Sequence, residues 1–186
     1  FVDTILGANA HVTVYNLGET TATGQLDSTI HDYTEMAQRL ARVPDVIRAA
    51  PLVRGQVMAN MRQANAGVEV FGIELKDLKG LPRIADPTTS LGDINNFDQG
   101  IAIGSGVARE LGATVGDKIK LISPNGVKTA FGTSPRVNAY EVVYVFSAGR
   151  YDIDRTRVYL PLAEAQSFFN REGVATEIEV MVKNPE

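Results

Sequence analysis

The chain has 186 residues, a length that suits one large domain or two small ones and allows a sizeable hydrophobic core. Hydrophobic residues make up 44% and charged residues 22% of the sequence, as in ordinary soluble globular proteins. The net charge of −4 comes from interspersed acids and bases, which argues against a nucleic-acid-binding surface, since such a surface needs a basic patch. The absence of cysteine excludes disulfides, thiolate metal sites and cysteine nucleophiles.

The sequence contains only two histidines, His11 and His31, so it has few of the side chains that a zinc site or a Ser-His-Asp triad needs. We interpret both histidines as structural. No apolar run approaches about 18 residues, so no segment is predicted to span a membrane. A signal peptide is not predicted, because no basic start is followed by an apolar stretch. The chain opens on Phe1 without an initiator methionine, so we expect a piece of a longer protein.

The first 75 residues are predicted to form a β-α-β-β unit. Residues 11–16 alternate and are β-branched, as is typical of a strand. A helix follows, ended by Pro44, with Asp32 and Glu35 resembling a capping box. Residues 46–63 and 67–75 are predicted to be extended, with a possible bulge at Gly55. The apolar face of the helix comprises Tyr33, Met36, Ala37, Leu40 and Ala41.

Residues 76–99 hold prolines and glycines with little periodicity, and we interpret them as a linker or irregular crossover into a second subdomain. Residues 101–123 predict a strand, a short helix ended by Gly112, and a second strand. The later elements are predicted as strands at 140–149 and 154–162, a helix that starts at Pro161, and a closing strand at 176–184. The overall class is α+β.

The turn Gly104-Ser105-Gly106 looks like a phosphate site, because a glycine-rich turn that opens a helix can hold an anion. A P-loop needs Lys-Ser/Thr after the second glycine, where this chain has Val107-Ala108. A dinucleotide-binding turn needs a third glycine, where this chain has Arg109. We therefore interpret the two glycines as the requirement of a tight strand-to-helix turn.

Paired carboxylates are the other candidate for chemistry. Asp152 and Asp154 are suited to acid–base work or metal binding. Asp93 and Asp98, in the predicted linker of residues 76–99, are a second pair of carboxylates. Three arginines flank the first pair and favour a solvated, salt-bridged turn: Arg150, Arg155 and Arg157. Met58 and Met61 fall on opposite faces of their predicted strand, so we expect mainly core packing rather than a methionine-rich surface.

Residues 124–139, "PNGVKTAFGTSPRVNA", separate two predicted strands by far more than the two to five residues of a common hairpin loop. Such an insert either packs back on its domain or projects towards a partner. Loops on rigid scaffolds often carry function, and prolines lower the entropy lost on binding. Both alternatives stay open from the residues alone.

Four segments together resemble the periplasmic domain of the LolC/LolE family of lipoprotein-releasing ABC transporter permeases and, more broadly, the MacB-like periplasmic core domain. The resemblance covers nearly the whole chain in the same order, and it rests on residues 32–58, 68–75, 100–124 and 154–169. It implies a porter-like βαβ subdomain with a smaller mixed subdomain inserted into it and a protruding hairpin arm. The implied divisions are 1–75 porter-like, 76–99 crossover, 100–172 inserted, and 173–186 returning to the porter-like part.

The resemblance implies transport rather than catalysis, without a cofactor or metal, at the periplasmic face of the bacterial inner membrane. In LolC-like members a hairpin hook recruits the periplasmic chaperone LolA, whereas LolE-like members lack this role. Further implied partners are lipoprotein cargo, a cytoplasmic ATPase subunit and a second permease subunit. The hook position corresponds to residues 124–139, with Pro135 and Arg136 matching its pattern and Phe131 as the expected apolar anchor. The full expected contact set is Val127, Lys128, Phe131, Gly132, Thr133, Ser134, Pro135 and Arg136.

Two alternatives accompany this interpretation. A MacB-like efflux or cell-division permease domain would relay ATPase motion to a periplasmic partner and would need no chaperone-binding arm. A nucleotide- or metal-binding enzyme would use the Gly104–Gly106 turn or the Asp152/Asp154 pair, and its ligand would raise the stability of the fold.

Overall fold

The computed structural model describes residues 2–3, 11–15, 19–20, 26–27, 30–171 and 173–182. The strands are β1 Val2–Asp3, β2 His11–Tyr15, β3 Glu19–Thr20, β4 Leu26–Asp27, β5 Val46–Met61, β6 Ala64–Ile73, β7 Thr89–Gly92, β8 Ile101–Gly104, β9 Lys118–Thr129, β10 Gly132–Ser147, β11 Arg157–Pro161 and β12 Glu177–Val182. The α-helices are α1 Tyr33–Ala41, α2 Leu75–Leu78, α3 Pro82–Ala85, α4 Ser105–Leu111, α5 Tyr151–Asp154 and α6 Leu162–Phe168, and a 3-10 helix covers Ile94–Gln99. The α+β class predicted from the sequence is confirmed.

One part of the fold is a small antiparallel sheet in the order β1-β2-β12-β5. Helix α1 packs on it because its apolar stripe meets Ile178 and Val180 of β12, both buried. The predicted helix is confirmed, but the capping box is wrong. Within the described residues the Asp32 carboxylate makes no capping hydrogen bond and instead lies 3.7 Å from the Arg39 guanidinium.

The larger part is a closed ring of six strands. The sheet order β5-β6-β11-β8-β10 is closed by β9, which pairs with β10 on one side and with β5 on the other. Alternate positions of these strands share one core with α4 and α6. Strand β5 runs through both parts, since its first half pairs with β12 and its second half with β6 and β9. The two parts are thus joined by a continuous strand.

The other face of the ring is covered by the segment interpreted above as a linker or irregular crossover. Residues 76–99 contain α3, β7, the 3-10 helix and most of α2, and three apolar side chains there are fully buried: Leu78, Ile84 and Phe97. The Tyr144 hydroxyl donates to the Ile84 carbonyl at 2.7 Å. The segment therefore contributes a second hydrophobic core, which a simple linker would not.

Several local predictions need correction. Strands β5 and β6 pair residue for residue on both sides of Gly55, so no bulge occurs there, and the glycine makes room for the Phe169 ring. Pro161 ends β11 and precedes α6 instead of starting the helix. The division proposed at residue 75 falls after β6, whereas strand pairing joins β6 to the ring. A boundary near Val53 fits the pairing better.

Candidate functional site

The insert at residues 124–139, called the arm below, is a β-hairpin and not an irregular loop. Strands β9 and β10 stay paired from Lys118–Glu141 out to Thr129–Gly132. Only Ala130 and Phe131 lie between the paired residues at the tip. The sequence obscures this regularity because prolines, glycines and small polar residues are unfavourable in most strands.

The tip of the arm displays an aromatic side chain. Phe131 is fully exposed, at 102% of its reference area, on a turn whose backbone is held by Thr129. The Thr129 hydroxyl oxygen accepts from the Phe131 N–H at 3.3 Å, and the hydroxyl donates to the Gly132 carbonyl at 2.7 Å. Gly132 has φ of +119°, which favours glycine. The turn is therefore preorganised with its apolar residue in solvent.

A bulge separates the outer half of the arm from its root. Ser123 faces Arg136 while Val127 faces Ser134, so residues 124–126 lie opposite Pro135 alone. Pro124 also falls in this bulge, and both prolines are exposed. A proline has no N–H to donate, so it fits where the ladder is interrupted. Such a bulge generally bends its strand, here at the point where the outer arm begins.

Arg136 attaches the root of the arm to the body of the domain. Its Nη2 donates to the Asn170 side-chain oxygen at 2.8 Å, just beyond α6, and the side chain is half-buried. Of the other expected contact residues, Ser134 and Pro135 are exposed, and Val127, Lys128 and Thr133 belong to the outer ladder. The structure thus brings the predicted set onto one hairpin, with Phe131 at the tip and Arg136 tied to the body.

The Gly104-Ser105-Gly106 turn packs against the chain's own backbone. A Cβ at Gly104 would lie 2.2 Å from the Asp154 carbonyl oxygen, and one at Gly106 would lie 2.8 Å from Arg155 Cα. The end of helix α5 therefore lies directly against the turn, an approach that is possible only because both side chains are missing. This close approach explains the glycines, whereas the turn itself does not need one at Gly104, whose φ of −66° any residue adopts.

The aspartates that resemble an acid–base pair have structural partners. The Asp154 carboxylate accepts the N–H groups of Ala148 at 2.6 Å and Gly149 at 3.2 Å. Asp152 forms an ion pair with Arg150 at 3.2 Å, and Asp93 accepts the Asn95 N–H at 2.9 Å at the start of the 3-10 helix. Among the described residues, no three His, Asp or Glu side chains are grouped to hold a metal ion.

A charged cluster that was not predicted from the sequence is formed by residues of the neighbouring strands β12, β5, β6 and β11. The Arg54 and Arg157 guanidinium carbons lie 4.6 and 4.4 Å from the centre of the Phe71 ring. Arg54 Nε is 2.9 Å from the buried Glu177 carboxylate, without the alignment of a hydrogen bond. The sequence feature that could have revealed this cluster is the spacing of Glu177 and Glu179, because residues two apart in a strand lie on the same face.

Burial raises the pKa of Glu177 above its ordinary value of 4.5, with Glu179 and Glu69 adding to the shift and Arg54 opposing it. The folded domain therefore holds this proton more tightly than the unfolded chain. The contribution of Glu177 to stability is complete below pH 4.5 and is lost as the pH rises through the raised pKa.

The Glu177→Gln variant should accordingly show a flatter fall of the unfolding free energy with rising pH than the wild type. Urea unfolding of both proteins from about pH 4 to about pH 7 measures the two slopes. Parallel curves would contradict the assignment. Asp77, whose pKa burial also raises, supplies a remaining slope in both proteins.

The fold and the arm define a two-part α+β domain with a projecting hairpin. In the part of the chain that the structure describes, no helix has the length and apolar character needed to cross a membrane. The sequence profile of the MacB-like periplasmic core domain matches residues 1–186. The chain belongs to the MacB-like periplasmic core domain family, and the resemblance inferred from its sequence segments is confirmed.

Curated relatives come from lipoprotein-releasing systems. The transmembrane protein LolC of Neisseria meningitidis is 24% identical over 165 residues, covering 88% of this chain and 40% of the relative. The transmembrane protein LolE of Haemophilus influenzae is 29% identical over 171 residues, covering 86% of this chain and 38% of the relative. The chain therefore spans about two fifths of the length of the curated relatives it matches.

Solved structures share the fold. The periplasmic region of MacB from Actinobacillus actinomycetemcomitans aligns with a TM-score of 0.55 at 12% identity, over 95% of this chain and 76% of that one. The extracellular domain of the ABC-type transporter YknZ from Gram-positive bacteria aligns with a TM-score of 0.53 at 15% identity, over 93% of this chain and 84% of that one. These alignments confirm the fold class.

Proposed function

We propose that this domain is the periplasmic part of an ABC transporter permease that releases lipoproteins from the inner membrane, and that its arm recruits a soluble chaperone of the LolA type. The relatives named LolC and LolE support the lipoprotein-releasing class. The observation that carries chaperone recruitment is the preorganised arm with Phe131 in solvent at its tip. A cytoplasmic ATPase and a second permease subunit complete the proposed complex.

The arm has the physical properties of a recruiting element. Its paired strands and the Arg136–Asn170 hydrogen bond fix it on the body, so little chain entropy is lost on binding. Aromatic side chains are enriched among the residues that dominate interface energies. A hairpin tip offers a small contact area, which suits a transient hand-off better than a permanent complex.

Calorimetric titration with a purified LolA-type chaperone tests this proposal. The Phe131→Ala variant should bind at least about tenfold more weakly than the wild type, as for a central aromatic anchor. Leu91→Ala is the matched control, because Leu91 is also exposed but lies on β7 away from the arm tip. Equal loss in both variants, or an unchanged affinity for Phe131→Ala, would contradict chaperone recruitment by the arm.

The MacB fold similarity supports a second candidate, a domain that relays ATPase motion to another periplasmic protein. In that case the wild type should fail to bind the chaperone even at high micromolar concentration. The arm would then be a structural insert, and the search for a partner would move to the surface of the small sheet.

A further inference from the structure

A groove lies where the arm separates from strand β5. Strand β9 pairs with β5 only at residues 58–60, so the two strands diverge beyond the Met58–Ile122 pair towards the arm tip. An apolar row crosses the sheet at this point, formed by direct cross-strand partners on β10, β9, β5 and β6: Val137, Ile122, Met58 and Gly67. The groove has a volume of about 680 Å³. Val137 is 49% and Met58 43% exposed, so large apolar side chains meet solvent here.

The lining of the groove combines an apolar wall, polar side chains and an open strand edge. Strand β5 pairs with β12 as far as Leu52 and with β9 from Met58 onwards, so residues 53–57 have β6 on one side and no described strand on the other. The apolar wall is formed by Met58, Ile122, Pro124 and Pro135, and the polar side chains are Gln56, Glu69 and Thr156. An open edge pairs with a peptide backbone and an apolar wall packs against a side chain, so the groove suits a short segment of polypeptide.

The arm tip of this same chain has the complementary chemistry. Phe131 is fully exposed on a preorganised turn of two residues, which is narrow. The arm sequence, residues 124–139, contains two cations, Lys128 and Arg136, and no acid. Glu69 is the one charged residue among the described residues that line the groove. An aromatic tip on a basic arm therefore matches an apolar groove that carries an acidic group.

A tip that fills the groove has to come from another molecule. Pro135, which lines the groove, is four residues from Phe131, and four residues of strand span about 14 Å. The ladder between β9 and β10 keeps the arm extended, and Phe131 is fully exposed within its own chain. Tip and groove lie on the same arm, so in a two-fold arrangement each tip enters the groove of the other copy. Such an exchange is closed and leaves no tip or groove unfilled.

We propose that two copies of this chain exchange arm tips, with Phe131 of each copy in the groove of the other, against Met58 and Pro135. The exchange goes beyond the proposed function, because the partner is a second copy of the chain and not a chaperone. It removes the exposed aromatic side chain and the apolar row from water in one contact. A chaperone that binds Phe131, as proposed above, competes with the second copy for this side chain.

Sedimentation velocity over a concentration series tests the exchange. The wild type should form dimers, and Gly67→Leu should weaken dimerisation at least about tenfold, because the new side chain fills the groove. A Cβ at Gly67 meets open space within its own chain, so this variant should keep the wild-type melting temperature. Phe131→Ala should weaken dimerisation to a similar extent. Leu91→Ala should not, because Leu91 is exposed on β7, away from the arm tip.

Disulfide trapping identifies the contact, since the chain contains no cysteine of its own. A mixture of the Ala130→Cys and Gln56→Cys variants should form a mixed disulfide dimer under mild oxidation, whereas Ala130→Cys mixed with Leu91→Cys should not. A wild type that stays monomeric at every concentration, a dimer unaffected by Gly67→Leu, or equal trapping at Leu91 would overturn the exchange. Both measurements are made without chaperone, so failure of the exchange and failure of chaperone recruitment are seen in separate experiments.

Discussion

Replacing residues 124–135 by Asn-Gly is expected to abolish chaperone binding while the domain stays folded. Ser123 and Arg136 are a cross-strand pair, so the two new residues would close the shortened strands with the most favourable two-residue hairpin turn. The replacement removes Phe131 and the bulge but keeps Arg136 and its hydrogen bond to Asn170. Binding should fall below calorimetric detection, and the melting temperature should change by only a few degrees or less.

The control for this variant keeps the tip and loosens the root. Asn170→Ala removes the acceptor of the Arg136 hydrogen bond and leaves Phe131 in place, so it should weaken chaperone binding only modestly, by about threefold to tenfold. Wild-type affinity in the Asn-Gly variant would show that the chaperone binds elsewhere on the domain. A collapse of the melting temperature in the Asn-Gly variant would instead show that the arm is a structural part of the ring.

Gly104→Ala is expected to lower the unfolding free energy by about 1–3 kcal/mol, as overpacking of a closely packed site does. The new Cβ would lie 2.2 Å from the Asp154 carbonyl oxygen, a backbone atom. That backbone cannot move away easily, because the Asp154 carboxylate is bonded to the N–H groups of Ala148 and Gly149. Urea unfolding monitored by circular dichroism measures the difference.

Gly67→Ala makes the same chemical change in a strand where the Cβ meets open space. It should leave stability unchanged or raise it by up to about 1 kcal/mol, because alanine restricts the unfolded chain more than glycine. Similar losses in both variants would mean that the effect comes from backbone propensity and not from the contact with Asp154. The close-packing explanation of the Gly104-Ser105-Gly106 turn would then fall.

Much of the fold could be predicted from local sequence patterns. The apolar stripe of α1 and the alternation in β2 and β12 correspond to elements within one or two residues of their predicted ends. The opposite faces of Met58 and Met61 also follow from the period of two in a strand, and Met61 is buried while Met58 is exposed. The unusual length of residues 124–139 marked them as an insert from the sequence, because short hairpin loops dominate antiparallel pairs, and the resemblance to the family implied that the insert is an arm.

Other features depend on contacts between segments distant in sequence. The closure of the ring needs β9 to reach β5, about 60 residues earlier in the chain, and no local pattern encodes that pairing. The strand character of the arm is imposed by its partner strand against the weak propensity of its prolines and glycines.

Residue order alone was enough to predict the main helical and extended segments, the family, and the position of the candidate arm, because periodicity and segment order are carried by neighbouring residues. The roles of individual side chains became clear from the folded chain. Folding ties Arg136 to Asn170, sets Gly104 against Asp154, and aligns Met58 with Ile122 and Gly67 in one apolar row. Each of these contacts joins separate elements, and its energy depends on register and packing that no single segment contains.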